Sequence, residues 1–156
     1  METCYIKTPL GNARIAGDEN GVSEISPLDE GTISEVIPAI LKEAITQLQE
    51  YFQGKRTDFT FKLNPKGTDF QQKVWQELRR IPYGKSVSYL DLSKKLGDVK
   101  AIRAAASANG KNPIWIVVPC HRVIGTDGSL TGYAGGLWRK KWLLEHENPT
   151  NQKSLF

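Results

Sequence analysis

Cysteine and histidine are scarce in this 156-residue chain, with two of each and both histidines, His121 and His146, in its last quarter. The first 119 residues therefore hold one thiol, Cys4, and no imidazole, which leaves a zinc site of the Cys/His kind without a ligand set there. Two cysteines do not make a disulfide framework, and no export signal is visible at Met1-Glu2-Thr3-Cys4, so a reducing cytoplasm is the expected location. Long apolar runs are absent as well. The longest, Ile114-Trp115-Ile116-Val117-Val118, falls far short of the roughly 20 residues of a membrane span. There are no internal repeats and no low-complexity segment.

What is present is a soluble, globular composition, 39% hydrophobic and 24% charged, with a length that suits one domain or two small ones. The net charge of +4 is unevenly spread: residues 1–68 carry 7 Lys and Arg against 10 Asp and Glu, residues 69–149 carry 13 against 7. A basic half beside an acidic one is compatible with nucleic-acid binding and with a merely solvated basic face.

Short β-prone runs between Cys4 and Ile25, broken at Pro9-Leu10-Gly11-Asn12 and Asp18-Glu19-Asn20-Gly21, predict two or three antiparallel strands. Residues 34–53 carry Ile37, Ile40, Leu41, Ala44, Ile45, Leu48 and Phe52 at helical spacing before Gly54, and residues 57–63 alternate as a further strand would. Asn64-Pro65-Lys66-Gly67 breaks the pattern. The expected organisation is an α/β domain over 1–63, a linker over 64–68, a mainly helical domain over 69–149 and a loose tail over 150–156. In the second domain Thr68 and Gln71 form a capping-box pattern ahead of a helix burying Phe70, Val74, Trp75 and Leu78. Ser88 and Asp91 start a short helix ending at Gly97, and Asp98 caps another running to Asn109-Gly110, together a helix-turn-helix pattern. Ala101, Ala104, Ala105 and Ala108 form a small-residue stripe on that helix, suited to tight packing or to close approach to a DNA groove, with Arg103 off the stripe as a lone long cation.

Pro119-Cys120-His121-Arg122-Val123 carries the chemistry. A thiolate is the nucleophilic form of cysteine, and an adjacent imidazole and guanidinium can take its proton or stabilise its charge. The glycines of Gly132-Tyr133-Ala134-Gly135-Gly136 follow, then a last helix from about Leu137 to His146.

These residues resemble the O6-alkylguanine-DNA alkyltransferases, also called methylated-DNA-protein-cysteine methyltransferases. The resemblance rests on Pro119-Cys120-His121-Arg122-Val123, Asn112-Pro113, the helix pair from Ser88-Tyr89 to Arg103, Tyr133-Ala134-Gly135-Gly136-Leu137 and Trp142-Leu143-Leu144-Glu145-His146-Glu147. It implies a ribonuclease H-like α/β domain followed by a winged-helix-like domain with the helix-turn-helix. It implies Cys120 as alkyl acceptor, His121 as its base through a water, Glu147 as the group that orients the imidazole, and Asn112 as a brace. Tyr89 would bond the departing guanine and Arg103 would fill the gap left by the flipped base. Ser88, Ala104, Gly110, Arg122, Val123 and Ala134 are the further DNA- or base-side positions it implies. Ala134 stands where some relatives have serine. The implied partner is double-stranded DNA containing O6-alkylguanine, with O4-alkylthymine a second candidate lesion. It would be bound through the minor groove by a monomer, with no cofactor, metal or membrane. Two rivals share parts of the pattern: a lesion sensor without catalysis, which would lack the acceptor cysteine, and a cysteine hydrolase, which would not need the helix-turn-helix.

Overall fold

The computed structural model describes residues 1–125, 128, 133 and 135–149. The chain forms two compact units, one of residues 1–66 with 113–117, the other of residues 67–112 with the chain from 118 onward. Ala134 and the tail 150–156 lie outside the described residues. Among the described residues no helix is long and apolar enough to cross a membrane.

The first unit is built on an antiparallel meander of β1 (Glu2–Thr8), β2 (Gly11–Asp18) and β3 (Gly21–Leu28), in the order β1-β2-β3. Gly21 turns the chain between β2 and β3 at φ +126°, a conformation that L side chains avoid. A Cβ there would come within 2.9 Å of the Lys62 carbonyl oxygen. Pairing sets Cys4 opposite Ile15 and Ile15 opposite Ile25, all buried, so the two-residue alternation of the strands produces one apolar face. Helix α1 (Lys42–Phe52) adds Ala44, Ile45, Leu48 and Tyr51 to this core.

Two expectations for this unit fail. The helix starts at Lys42, after a 3-10 turn at Ala39–Leu41, and Ile37 and Ile40 are exposed. Pro38 is the reason, since the residue before a proline is pushed out of the helical region. Residues 57–63 form no strand. Their backbone is claimed by a side chain: Gln47 accepts from the Thr60 N–H at 2.9 Å and donates to Thr60 Oγ1 at 2.7 Å. Only Leu63 bridges to Val22. The partner along β3 is instead the segment 113–117, where the Ile25 N–H donates to Pro113 and the Trp115 N–H donates to Ile25, both at 2.9 Å. Ile116 follows at φ 72°, with the Val117 N–H donating back to the Trp115 carbonyl across it. A left-handed β-branched residue costs about 1–3 kcal/mol, borne here by the buried packing around it.

The second unit opens with α2 (Asp69–Leu78), whose capping box is complete: Thr68 Oγ1 accepts from the Gln71 N–H, and Gln71 Oε1 accepts from the Thr68 N–H. Val74, Trp75 and Leu78 are buried, while Phe70, expected with them, is 37% exposed. Strand β4 (Val87–Ser88) runs into α3 (Tyr89–Lys95), with Ser88 Oγ capping it by accepting from the Asp91 N–H at 3.0 Å. A 3-10 turn at Val99–Ala101, capped by Asp98, leads to α4 (Ile102–Gly110). After a 3-10 turn at Cys120–Arg122, β5 (Val123–Ile124) pairs in parallel with β4, and α5 (Leu137–Glu147) closes the described chain.

The alanine stripe of α4 is divided by packing. Ala105 and Ala108 are buried, and the Ala108 carbonyl accepts from the Trp75 indole at 2.9 Å. Ala104 turns outward with Arg103, Ser107 and Gly110, so the exposed side of this helix is one of small residues beside a long cation.

Candidate active site

Cys120 begins a 3-10 turn whose shape is fixed on both sides. Pro119, at φ −81° and ψ 65°, lets the Cys120 N–H bond the Val118 carbonyl at 2.8 Å, and Asn112 Nδ2 donates to that same carbonyl at 2.7 Å. Asn109, fully packed at the end of α4, donates to the Cys120 carbonyl at 3.4 Å. Burial pushes the Cys120 thiol above its ordinary value, and Asn112 and the charge of Lys140 act against that rise.

Behind the cysteine, His121 is completely buried. Its Nε2 lies 2.7 Å from Glu147 Oε2, while its Nδ1 has no hydrogen-bond partner among the described residues. Burial pushes its pKa down against the pull of Glu147, so the ring is neutral. A neutral imidazole that donates from Nε2 to a carboxylate carries its lone pair on Nδ1, which makes Nδ1 the basic atom. Glu147 stays ionised: burial works to raise its pKa, but His121 and the two hydrogen bonds of Arg122 hold it far below the usual carboxylate range. Arg122 donates from Nε to Glu147 Oε1 at 2.8 Å, from Nη2 to Oε2 at 3.0 Å and from Nη1 to the Ile81 carbonyl at 2.7 Å. The loop before β4 secures the same carboxylate, since the Gly84 N–H reaches Glu147 Oε1 at 3.4 Å and Asn148 Nδ2 donates to the Gly84 carbonyl at 2.9 Å.

Of the residues that the sequence singles out, His121 and Glu147 are hydrogen-bonded to each other, and Asn112 shares the Val118 carbonyl with the Cys120 N–H. Arg122, expected on the DNA side, has its side chain buried: at 6% exposure its guanidinium is engaged by Glu147 and the Ile81 carbonyl. Val123 is buried in β5. Arg103, Ala104 and Gly110 are exposed on α4, and Ser88 and Tyr89 are half-buried at the entry to α3. The burial of Lys140 escapes a sequence-only reading. The signal for Lys140 is its spacing, because Lys140, Leu143, Leu144 and Glu147 fall at i, i+3, i+4 and i+7, one buried stripe of α5.

The comparisons with known proteins cover nearly the whole chain. The family model for the 6-O-methylguanine DNA methyltransferase DNA-binding domain matches residues 69–149, and that for the ribonuclease-like domain of the same family matches residues 2–65. A methylated-DNA-protein-cysteine methyltransferase of Methanosarcina barkeri is 45% identical, covering 91% of this chain and 94% of its own. The constitutive Bacillus subtilis protein of that name is 47% identical over 83% of this chain and 84% of its own. The crystal structure of Mycobacterium tuberculosis OGT in complex with DNA superposes with a TM-score of 0.84 at 41% identity, covering 97% of this chain and 92% of that one. With both domain models matched in order and the cysteine, imidazole and carboxylate assembled in one unit, the chain belongs to the 6-O-methylguanine DNA methyltransferase family.

Proposed function

We propose that the protein repairs DNA by direct reversal, moving the alkyl group from O6 of a guanine in double-stranded DNA onto Cys120, once per molecule. The observation that carries this reading is the orientation of His121, the residue that follows the cysteine, with Nε2 committed to Glu147 and the buried Nδ1 left without a hydrogen-bond partner among the described residues. Buried polar atoms are rarely unpaired, and a water between Nδ1 and the sulfur satisfies the histidine while giving the thiol proton a path. The thiolate attacks the alkyl carbon, the carbon–oxygen bond breaks toward the base, and the guanine takes up a proton as it leaves. A thioether has no easy leaving group, so the product is final.

The exposed side of α4 supports minor-groove docking by a monomer: Ala104, Ser107 and Gly110 allow close approach, and Arg103 is the side chain long enough to occupy the place of an extruded base. Tyr89, at the start of α3, donates to the leaving guanine in this reading, and O4-alkylthymine is a second candidate lesion. The protein acts in the cytoplasm, where its thiols stay reduced.

Mass spectrometry after incubation with an O6-methylguanine duplex tests the proposal. One methyl retained on Cys120, with one equivalent of substrate exhausting the protein, is the expected result. Product beyond one equivalent would indicate a hydrolase, and binding without transfer a lesion sensor.

A further inference from the structure

Glu147 is the last residue of α5, where a carboxylate faces the negative end of the helix dipole and where helices fray. Its Oε2 is nevertheless held 2.7 Å from His121 Nε2. Hydrogen bonds join this helix end to the turn at residues 81–84. Tyr83 Oη donates to the His146 carbonyl at 3.5 Å, the Gly84 N–H donates to Glu147 Oε1 at 3.4 Å, and Asn148 Nδ2 donates to the Gly84 carbonyl at 2.9 Å. Gly84 is thus gripped at its N–H and at its carbonyl by successive side chains, those of Glu147 and of Asn148, the C-cap of α5. The turn is closed by the Lys85 N–H on the Pro82 carbonyl at 3.1 Å, with Gly84 as its third residue at φ +78°. A Cβ on Gly84 would come within 3.1 Å of the Glu147 carbonyl oxygen, so glycine allows the two backbones to lie this close.

We propose, on the reading of Cys120 as the acceptor, that Asn148 is a positioning residue for alkyl transfer: its amide fixes the Gly84 turn against the end of α5 and so keeps the Glu147 carboxylate on His121 Nε2. Arg122 grips both carboxylate oxygens, a fork that sets the distance but leaves the carboxylate able to hinge between guanidinium and imidazole. A donor anchored on another segment, the Gly84 N–H at Oε1, removes that freedom. That bond is long at 3.4 Å, and the 2.9 Å bond from Asn148 holds its donor in place. The same turn accepts from Arg122 Nη1 at the Ile81 carbonyl, so both members of the ion pair are referred to one short stretch of backbone. Asn148 makes and breaks no covalent bond; it acts on the reaction through Glu147 and the imidazole.

Single-turnover methyl transfer from an O6-methylguanine duplex, followed against protein concentration, separates the limiting rate from duplex affinity. It is measured in wild type, Asn148→Ala, His121→Gln and the double variant. The limiting rate should fall about three- to tenfold in Asn148→Ala, the worth of one hydrogen bond, with affinity unchanged. On the His121→Gln background the same substitution should cost nothing further, because the imidazole it acts through is gone. Equal losses on both backgrounds would make Asn148 a merely structural residue and overturn the proposal, as would an unchanged rate or a loss confined to affinity. Asn148→Asp, of the same size but without an N–H to donate to Gly84, should lose as much as Asn148→Ala. A wild-type rate in that variant also overturns the proposal.

The imidazole can be read without DNA. In protein with labelled histidine, NMR should show the His121 Nε2 proton, held by Glu147, exchanging with water about three to ten times faster in Asn148→Ala than in wild type. Equal exchange in the two proteins overturns the proposal. A wild type that leaves Cys120 unmethylated would instead remove the reading of Cys120 as the acceptor, and the histidine signal would still show whether Asn148 holds the carboxylate.

Discussion

Replacing Glu147 with glutamine tests the central ion pair and gives a magnitude that the structure fixes in advance. The amide keeps the shape of the side chain but removes the charge that faces Arg122 Nε and Nη2 and His121 Nε2. Arg122 is 6% exposed, so the substitution leaves a buried guanidinium without its anion. Breaking a buried pair in this way costs about 3–5 kcal/mol. A chain of this length loses about 2–4 °C of melting temperature per kcal/mol, so the midpoint should fall by roughly 6–20 °C. The control is the double variant Arg122→Met, Glu147→Gln. Removing both charges restores neutrality, and apolar replacement of a buried pair is often neutral or stabilising. Calorimetric melts should therefore place the double variant above the single one. Methyl transfer should remain slow in both, because His121 has lost its carboxylate in each. A double variant melting at or below the single one would refute the argument that charge imbalance dominates the loss.

Cys120→Ser should abolish methyl transfer while leaving affinity for undamaged duplex nearly unchanged, as measured by fluorescence anisotropy, since the exposed face of α4 is untouched; joint loss of both would make Cys120 a fold residue. Lowering the pH from 7 to 5 should lower the melting midpoint, because the unfolded chain takes up a proton at His121 near its ordinary value of about 6.5 and the folded chain, whose His121 value burial depresses, does so only at lower pH. The slope should flatten in His121→Gln, and equal slopes would refute it. Gly67→Ala should destabilise by about 1–3 kcal/mol in urea melts, since a Cβ would meet the Trp75 ring at 2.4 Å; an unchanged midpoint would show that the indole yields freely.

What could be read from the sequence was what depends on neighbours in the chain. Thr68 with Gln71 and Ser88 with Asp91 act within one helical turn, and both caps form as their spacing predicts. Pro38 was an equally local signal, overridden by the apolar spacing around it, and it cut the expected helix short at its start. The strand expected over 57–63 depended on a free partner, whereas β3 pairs at Ile25 with Pro113 and Trp115, some 90 residues along the chain. In the site, Cys120 and His121 announced themselves by adjacency. The true position of Arg122 required knowing that Glu147 and Ile81 arrive beside it, which no local pattern encodes. Lys140 was visible as a lysine on an apolar stripe, but only burial shows that such a lysine has not simply turned its head to water.

The two-residue pairing of β4 with β5 has a consequence for the order of assembly. It joins Val87 to Val123 and Ser88 to Ile124, so the strand leaving the cysteine turn is hydrogen-bonded to the entry of α3. The other ties of the turn also span long separations: 26 residues from His121 to Glu147 and 41 from Arg122 to Ile81. Contacts of this kind form after local helices, because each must first overcome the entropy of closing its loop. During synthesis Cys120 emerges well before Glu147, and until α5 joins the unit His121 has no carboxylate and the sulfur no buried setting. A nascent or partly unfolded chain therefore displays an ordinary thiol, and the alkyl-accepting one comes into being only with the finished fold.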